Sequence, residues 1–495
     1  MELTYINTEN FSRIDRETIQ QKKIPAALLM ENAGNEIGRK LKSIYSRHNL
    51  RRILIISGRG NNGGDGLVAA RYLARNSVPV SLLIVGRADK SSPLFKEKYN
   101  LLRDFNIPSK EVTVFTASVK TYLQKSDLLV DALFGTGLSR NIKGVAEEVI
   151  TFVNSLNCTK VALDIPSGLQ CALEKSVVFR ADYTVTVQEY KHHFLLPCYA
   201  CFCGNIITIK IDFPKAITDK YIRKVRIPLP DKQTDKGDYE HKLTRGHSLI
   251  LAGSKNYPGA LRLAADSAAH NGSSYLTLYS PAAYNNIYAP QVVSRRLSAD
   301  FFNIAAWDMC RAKIEASRFI LCGPGIDRMP ETTLFLEKLL QFKDKYFILD
   351  ADALFHLKKI ITQKKKKLPR RNILITPHIG EFAELLSVKK TALYKNIFKH
   401  LKTFYDKYKI KILLKDAYIF YQHKQLSFFP FPNKFLAKAG SGDILAGMIL
   451  AFFSLYNDFD TAVEQAVREF IRKAGCIREK YGARASVYKM VTEEV

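Results

Sequence analysis

The chain has 495 residues, 47% of them apolar, and 75 lysines and arginines against 47 acidic residues give it a formal net charge of +28 at pH 7. This length is too great for one hydrophobic core and predicts two to four domains. The eight cysteines are irregularly spaced, which argues against a disulfide framework and indicates a reducing compartment.

No export or membrane segment is expected. The N-terminus has early acidic residues and lacks the apolar core of a signal peptide. The longest uncharged run near the C-terminus, residues 444–456, is too short to span a bilayer and predicts a buried helix. The predicted compartment is therefore the cytoplasm.

The positive charge fits either a nucleic-acid binder or a protein with small anionic ligands. Basic residues are spread along the whole chain, with one short block at 364–367. They are not interleaved with aromatic residues, as a groove for single-stranded nucleic acid requires. Small anionic ligands are therefore favoured, and neither nucleic acid nor membrane is expected as a partner.

The first half alternates between strand and helix patterns. Helices are predicted over residues 25–44, 66–76 and 145–154, and strands over residues 51–57, 78–86, 126–135, 160–168 and 182–188. This alternation predicts a parallel sheet with helices on both faces, a Rossmann-like three-layer αβα domain over residues 1–222.

The alternation stops and then resumes. Residues 223–240 are polar, charged and proline-bearing, which predicts a linker. Beyond it, a second α/β domain is predicted over residues 241–495. It has a final helical region from Gly442, and its strands are expected over residues 246–254, 272–280, 318–325, 345–354, 372–378 and 410–421.

The segment GRGNNGGDG at 58–66 follows a strand and precedes a helix. Three of its glycines fit the G-x-G-x-x-G pattern of dinucleotide-binding loops, but the next strand ends at Arg87 instead of an acid that would bind ribose. Asn61, Asn62 and Asp65 add hard oxygen ligands, which suit an alkali or alkaline-earth cation. A polar turn with helix-capping residues is the simpler alternative.

Two more loops follow strands of the same predicted sheet. They are DALFGTGLSRN at 131–141 and LDIPSGL at 163–169. In an open parallel sheet, ligands bind beyond the carboxyl ends of the strands. The three loops are therefore expected to build one pocket.

Residues 1 to about 215 resemble the NAD(P)H-hydrate epimerases in the motifs LMENAG, GNNGGDG, DALFGTGL, DIPSGL and ADYTVT. The resemblance implies a potassium ion held by Asn62, Asp131 and Ser167. A buried acid beside the substrate would carry the proton for inversion at C6. Asp164 is the candidate for that acid, whose identity stays open. The implied contacts with hydrated NADH or NADPH are Asn61, Asn62, Gly63, Gly64, Asp65, Gly135, Thr136, Gly137, Leu138, Ser139, Arg140, Asn141 and Asp164.

The segment FLAKAGSGDILAG at 435–447 opens the final helix. Its glycine amides and the positive end of the helix dipole would form an anion site. Asp443 in the first turn is placed to take a proton from a substrate hydroxyl while a phosphoryl group is transferred. This half resembles ribokinase-like phosphotransferases. A packing turn of small residues is the alternative.

Four further segments resemble the nucleotide-dependent NAD(P)H-hydrate dehydratases over residues 240–490: AGSKNYPGALRLAADSAAHNGSSYLTL, CGPGI, LDADAL and TPHIGEFAELL. The resemblance implies ADP or ATP as co-substrate, with Mg²⁺. Asp443 would be the base for phosphorylation of the C6 hydroxyl, and expulsion of phosphate would restore the reduced ring. The implied hydrate contacts are Ala260, Gly325, His378 and Asp443, and the implied nucleotide contacts are Lys415, Asp416, Ala417, Tyr418, Ile419 and Gly442.

The nucleotide segment departs from the family in two ways: Lys415 is followed by Asp416 instead of glycine, and a threonine common a few residues on is replaced by Ile419 or Phe420. An acid there would lie near a negative nucleotide unless it turns away or pairs with a lysine. Lys438, which precedes the anion site, could compensate phosphate charge.

Three functions are weighed. The first is a bifunctional repair enzyme, favoured because both halves indicate one substrate. The second is a ribokinase-like small-molecule kinase with an N-terminal binding domain. The third is a non-catalytic protein that binds nucleotides or RNA. A zinc site in HHFLLPCYACFC at 192–203 is a minor alternative because its spacing is irregular. A homo-oligomer is compatible with the sequence.

Overall fold

The computed structural model describes residues 2–86, 91–138, 140–174, 176–228, 246–273, 275–281, 289–363, 372–431, 434–456 and 458–493. The chain divides into two compact units. One comprises Leu3–Lys224, and the other comprises Val225–Val495 with Met1–Glu2. They are called the N-terminal and the C-terminal unit below.

The N-terminal unit alternates strands and helices. Its elements are β1 (Glu2–Ile6), α1 (Phe11–Lys22), α2 (Ala26–Arg47), β2 (Ile53–Ser57), α3 (Asn61–Arg75), β3 (Val80–Val85), α4 (Pro93–Asn100), β4 (Ser109–Val112), α5 (Ala117–Gln124), β5 (Leu128–Ala132), α6 (Val145–Ser155), β6 (Thr159–Leu163), β7 (Tyr183–Val187), β8 (Tyr190–Lys191), α7 (Pro197–Ala200), β9 (Asn205–Ile209), α8 (Lys215–Tyr221) and, across the unit boundary, β10 (Ile222–Arg226).

Seven of these strands form a parallel sheet in the order β4-β3-β2-β5-β6-β7-β9. Strand β2 is central and buried on both faces, as its run of branched apolar residues predicts. Ile53 and Ile55 pack with α1, α2 and α3, whereas Leu54 and Ile56 pack with α5 and α6. The three-layer αβα architecture is thereby confirmed.

The C-terminal unit repeats the alternation around a second sheet. Its elements are β11 (Ser248–Leu251), α9 (Pro258–His270), β12 (Leu276–Ser280), β13 (Val292–Arg296), α10 (Ile304–Ala316), β14 (Phe319–Cys322), α11 (Pro330–Leu339), β15 (Tyr346–Leu349), α12 (Asp352–Gln363), β16 (Ile373–Ile375), α13 (Ile379–Leu386), α14 (Lys390–Lys395), α15 (Ile397–Tyr408), β17 (Lys411–Lys415), β18 (Ile419–Gln422), β19 (Leu426–Phe429), α16 (Ser441–Leu455), α17 (Phe459–Tyr481) and α18 (Lys489–Thr492).

The strand order in this unit is β13-β12-β11-β14-β15-β16-β17-β18-β19. Neighbours from β13 to β17 are parallel, whereas β17, β18 and β19 are antiparallel. Helix α16 is apolar all round, and its residues from Ile444 to Ala451 are buried against α9, β14 and α17. A helix without a polar face must be covered on all sides, which explains its central place.

Several local expectations are wrong. The segment 410–421 is a tight hairpin instead of one strand, because residues 416–418 turn back between β17 and β18. Residues 222–226 form β10, so the start of the expected linker is a strand, whereas residues 229–245 lie outside the described part of the chain. Within that part, no helix is long and apolar enough to cross a membrane.

Candidate functional site

The N-terminal unit contains a cavity of about 1030 Å³ at the carboxyl ends of β2, β5 and β6. Because these strands are parallel and in register, the segments that follow them meet at one edge of the sheet. Ten of the predicted substrate residues line it: Asn61, Asn62, Asp65, Gly135, Thr136, Gly137, Leu138, Arg140, Asn141 and Asp164. Ser139 lies outside the described residues.

The glycine-rich segment is mostly helical, which corrects the prediction that the helix starts at Gly66. Helix α3 begins at Asn61, and the amide of Gly64 already donates to the carbonyl of Gly60 at 3.0 Å. Gly63 and Gly64 are buried in its first turns and do not line the cavity. Gly58 is required by a close approach, because a Cβ there would lie 2.0 Å from the carbonyl oxygen of Leu133.

The segments after β2, β5 and β6 meet around Gly135. A Cβ built on Gly135 would lie 3.4 Å from Asn62 Cγ and 3.4 Å from Asp164 Oδ2. A glycine therefore leaves the space between the amide and the carboxylate open. The side-chain nitrogen of Asn62 is buried and makes no hydrogen bond among the described residues. An unpaired buried amide beside an open cavity marks a place for a polar ligand atom.

Three carboxyl groups face this cavity, and the buried Lys191 ammonium pairs with one of them. Asp15, Asp65 and Asp164 line it, and Lys191 Nζ lies 3.2 Å from Asp164 Oδ1. Burial, followed by the charges of Asp164 and Asp15, raises the pKa of Asp65 well above its usual range. Burial and the charge of Asp164 also raise the pKa of Asp15, to about 6, against the opposing effect of Lys191. The pKa of Asp15 is close enough to neutral for its carboxyl group to exchange a proton there.

Asp131 and Ser167 form a buried pair beside this edge. Asp131 Oδ2 accepts from the amide of Ser167 at 2.7 Å, and Oδ1 accepts from its hydroxyl at 2.7 Å. Burial raises the pKa of Asp131 to about 6 despite these bonds. No cationic side chain pairs with it in the described part of the chain. A buried carboxylate with hydroxyl and amide neighbours fits the oxygen-rich donor set of a hard cation.

The C-terminal unit gathers charged groups where β15, β16 and β17 end. Lys415 Nζ is 2.8 Å from Asp350 Oδ1. It also lies against Gly442, where a Cβ would be 2.9 Å from this nitrogen. Burial, and next the charge of Asp350, raises the pKa of Asp443 to about 7, while Lys415 opposes the shift. Asp443 lies in the first turn of α16. Its pKa is suited to a general base near neutral pH.

His378 caps α13 at the same edge. Its Nδ1 accepts from the amides of Gly380 and Glu381, and the Glu381 carboxylate accepts from the amide of His378 at 2.8 Å. The capping box uses only Nδ1 of the ring. The other ring nitrogen, Nε2, lies on the exposed side, 3.6 Å from Glu381 Oε1. Burial, and next the charge of Asp350, raises the pKa of Glu381.

The two other predicted hydrate contacts, Ala260 and Gly325, lie against each other in the C-terminal unit. A Cβ on Gly325 would lie 3.5 Å from the Ala260 Cβ and 2.7 Å from the Tyr257 Cβ. Gly325 has a positive φ of 65°, so glycine serves both the turn and the close contact there. The structure thus brings Ala260 and Gly325 together, as predicted for one binding surface.

The nucleotide segment lies at the β17–β18 turn. Asp416 accepts from the Tyr394 hydroxyl and from the amide of Ala417 at 2.8 Å, so its carboxylate is held within the turn and against α14. Ile419 is buried in the core, which leaves only its backbone for a ligand. Lys438 donates to the carbonyls of Ala483 and Ala485, so its ammonium is held against the backbone near the C-terminus.

The zinc alternative finds no support. Cys201 and Cys203 follow α7 in a turn instead of a strand, and Cys203 is buried whereas Cys201 is exposed. The His193 ring contacts the Thr8 hydroxyl at 2.8 Å. Among the described residues, no group of three or more His, Cys, Asp or Glu side chains is arranged to hold a metal ion.

Sequence reasoning missed four charged residues of these sites. Asp350 and Glu381 stand in the quoted motifs LDADAL and TPHIGEFAELL, so strand ends and capping spacing could have identified them. Asp15 and Lys191 lie outside every quoted motif. Only their positions in the folded unit bring them to Asp164.

Two family models match the chain. One, described as the YjeF-related protein N-terminus, covers residues 26–193, and the other, described as NAD(P)H-hydrate dehydratase, covers residues 248–488. A bifunctional NAD(P)H-hydrate repair enzyme of Thermofilum pendens is 31% identical over 92% of this chain and 88% of its own length. The enzyme of that name from Dictyoglomus turgidum is 28% identical over 90% of this chain and 88% of its own.

Solved structures similar to this chain include an ADP/ATP-dependent NAD(P)H-hydrate dehydratase of Bacillus subtilis, co-crystallised with ATP and Mg²⁺. It is 26% identical, covers 53% of this chain and 91% of its own, and has a TM-score of 0.43.

Proposed function

The chain belongs to the family of bifunctional NAD(P)H-hydrate repair enzymes, and from this premise we propose how its two units divide the work. The N-terminal unit epimerises the R and S forms of hydrated NADH or NADPH at C6. The C-terminal unit dehydrates the S form to NADH or NADPH with ADP or ATP as co-substrate. The proposal rests on one observation made in both units. In each, ionisable carboxyl groups lie beside a glycine-rich segment that opens a helix, α3 or α16, where anions bind.

In the N-terminal unit, the hydrate would lie in the cavity against Asn61, Asn62 and the segment 135–141. The side-chain N–H of Asn62 would donate to an acceptor atom of the substrate, and its Oδ1 would face the cation. Asp164 would face the reacting ring, with its charge compensated by Lys191 at 3.2 Å. The proton needed for inversion at C6 would pass through this carboxyl group.

A potassium ion is part of the proposal. Asn62, Asp131 and Ser167 would hold it, since they offer amide, carboxylate and hydroxyl oxygens, and Asp131 is buried without a cationic partner among the described residues. When bound, the ion would supply a fixed positive charge at the edge of the cavity.

In the C-terminal unit, Asp443 would take the proton of the C6 hydroxyl as its oxygen attacks the terminal phosphoryl group of the nucleotide. The amides of residues 440–442 at the start of α16 and the Lys415 ammonium would receive the phosphate charge. The C6–O bond would then break with its electrons leaving on phosphate, and loss of a C5 proton would restore the double bond. Mg²⁺ accompanying the nucleotide would neutralise phosphate oxygens.

Ala260, Gly325 and His378 would hold the hydrate next to Asp443, and the segment 415–419 with Gly442 would hold the nucleotide. Asp416 is compatible with a nucleotide because its carboxylate is already bonded to Tyr394 and Ala417. A small-molecule kinase and a non-catalytic nucleotide or RNA binder are not favoured, since neither accounts for both halves of the chain. The cytoplasm is proposed as the compartment because the eight cysteines remain thiols.

The test is recovery of reduced-nicotinamide absorbance from a mixed-epimer NADHX solution with ADP, with ATP and with neither. Complete recovery with one nucleotide would establish both activities and identify the donor. Recovery of only one epimer would mean that the N-terminal unit does not epimerise. No recovery, together with a stable phosphate ester on a simple alcohol, would support the kinase.

A further inference from the structure

Helix α1 lines part of the N-terminal cavity, although no recognised motif contains it. Phe11, Ser12, Asp15 and Ile19 line the cavity. Their spacing places them on one face of the helix. Two of the four residues, Ser12 and Asp15, are polar, and Asp15 is the one that ionises. The helix lies before residue 26, where the match to the family model begins.

The contacts of α1 direct this face toward Asp164. The Phe11 ring lies under Lys191 Nζ, 3.7 Å from its centre, and the same nitrogen lies 3.2 Å from Asp164 Oδ1. Lys191 is fully buried and also donates to the carbonyl of Val187 at 2.7 Å, so its position is closely determined. Asp15 follows Phe11 by one helical turn, and the charges of Asp164 and Lys191 both act on it.

Inversion at a carbon that bears a hydroxyl group requires proton transfers on both faces of the ring. One carboxyl group must give a proton as the first C–O bond breaks, and another must take one as the new bond forms. The ion pair with Lys191 leaves Asp164 suited to one of these roles. A second proton-carrying group has to reach the same cavity.

We propose that Asp15 is this second proton-carrying carboxyl group and works with Asp164 on the opposite face of the substrate ring. The proposal rests on the proposed epimerase function of this unit. It makes α1 a part of the epimerase site, with Phe11 and Lys191 as the residues that position Asp15 relative to Asp164.

The step balances with water as the only co-reactant. One carboxyl group donates its proton to the C6 hydroxyl, the C6–O bond breaks, and water leaves with the bonding electrons while the N1 lone pair forms a C6=N1 bond. A water molecule then attacks C6 from the other face, and the C6=N1 electrons return to N1. The second carboxylate takes the proton released by this water, and the reverse turnover restores both groups.

Asp65 also lines the cavity, yet it is less suited to this role. Burial, followed by the charges of Asp164 and Asp15, raises the pKa of Asp65 well above its usual range and so favours its protonated form. In that form it donates a hydrogen bond to the substrate and is a poor proton acceptor. Asp15, with a pKa raised to about 6, can both donate and accept a proton.

The test compares Asp15→Asn, Asp15→Glu and the control Asp219→Asn in the full-length protein. Asp219 is an exposed carboxylate on α8, so its variant removes a charge without entering the cavity. Interconversion of R- and S-NADHX is followed by chromatography from pH 5 to 9 without nucleotide, and dehydration of the S form is measured on the same preparations.

We expect Asp15→Asn to lower the kcat of epimerisation by about 10²- to 10⁴-fold. Its KM should change by less than about threefold, and its pH profile should lose one limb. Asp15→Glu should retain a limb, shifted in pH, at a reduced rate, and dehydration should be unchanged in all three variants. If Asp15→Asn loses its folded state, the limb in Asp15→Glu decides, since a shifted limb supports the proposal and an unshifted one contradicts it.

An Asp15→Asn variant with wild-type kcat, or one with only a raised KM, would overturn the inference. A wild-type protein that does not interconvert the epimers would instead contradict the proposed function itself. The two failures are therefore distinguishable on one set of preparations.

Discussion

At the scale of single residues, Asp443 shows how the C-terminal site makes a base available at neutral pH. Its carboxyl group lies in the first turn of α16, beside Asp350 and Lys415. Helix N-termini stabilise negative charge, but burial and the Asp350 charge outweigh that effect here. The resulting pKa of about 7 lets the residue alternate between acid and base during turnover.

We predict that Asp443→Asn abolishes dehydration, with a loss of at least about 10³-fold in kcat, and leaves epimerisation intact. In the wild type, dehydration should increase as the pH rises through 7, because only the ionised carboxylate accepts a proton. Rates of NADH recovery from pH 5.5 to 8.5 check both points. Equal loss of epimerisation in this variant would indicate one composite site.

The same substitution should make the folded protein more stable at pH 8. A carboxyl group whose pKa rises from 3.8 unfolded to about 7 folded stabilises the protein below pH 3.8. That contribution is lost as the pH rises to 7. Because Asn carries no charge to bury, we expect Asp443→Asn to raise the free energy of unfolding by about 1 to 3 kcal/mol at pH 8 and to leave it unchanged near pH 4. Urea unfolding at the two pH values measures it, and an equal gain at both would contradict the explanation.

Asn62 tests the proposed cation site of the N-terminal unit. Its side-chain nitrogen is buried and makes no hydrogen bond among the described residues, and its Cγ borders Gly135. We predict that Asn62→Ala raises the potassium concentration for half-maximal epimerisation by at least about tenfold, since one oxygen ligand is lost. The control is Asn205→Ala, an exposed position at the start of β9. An unchanged potassium response would remove Asn62 from the site.

At the scale of elements, α16 and α9 show why small residues recur in the C-terminal motif. A Cβ on Gly447 would lie 2.2 Å from the backbone oxygen of Ala264, and Ser267 donates to the carbonyl of Ile444 at 2.7 Å. The two helices therefore pack backbone to backbone. Because α16 also carries Asp443, this packing determines the position of the base.

We predict that Gly447→Ala destabilises the C-terminal unit by about 1 to 3 kcal/mol and impairs dehydration, because the added methyl group pushes α16 away from α9. Gly475→Ala on α17 is the matched control, since no atom lies within 4 Å of its added Cβ. There alanine should stabilise the helix by up to about 1 kcal/mol. Calorimetry of both variants checks the difference, and equal effects would contradict the packing argument.

The apolar strands in the middle of each sheet were predictable, because continuous branched runs such as Ile53–Ser57 have few alternatives. Shorter or half-polar strands such as Ser109–Val112 and Val292–Arg296 were missed, because their exposed residues carry no periodic signal. The helix that begins at Asn61 was placed too late, since glycine and asparagine are poor helix formers in isolation. Packing against α2 overrides that preference.

At the scale of the whole molecule, each of the two units carries its own group of predicted site residues. We predict that an equimolar mixture of Asp443→Asn and Asp164→Asn proteins converts both epimers of NADHX completely, because the substrate diffuses between intact sites. Each variant alone should leave hydrate behind. Completeness of NADH recovery measures this, and failure of the mixture would show that one chain must hold both intact sites.

The αβα class, the family and the loops that surround each site could be predicted from the sequence, because strand periodicity and glycine-rich motifs are local signals. The sequence did not identify Asp15 and Lys191, which come from different parts of the chain and meet Asp164 only in the folded unit. Nor did it decide that Asp416 turns to Tyr394 or that Lys438 bonds to backbone carbonyls. Those outcomes depend on distances between elements far apart in sequence, and only tertiary packing determines such distances.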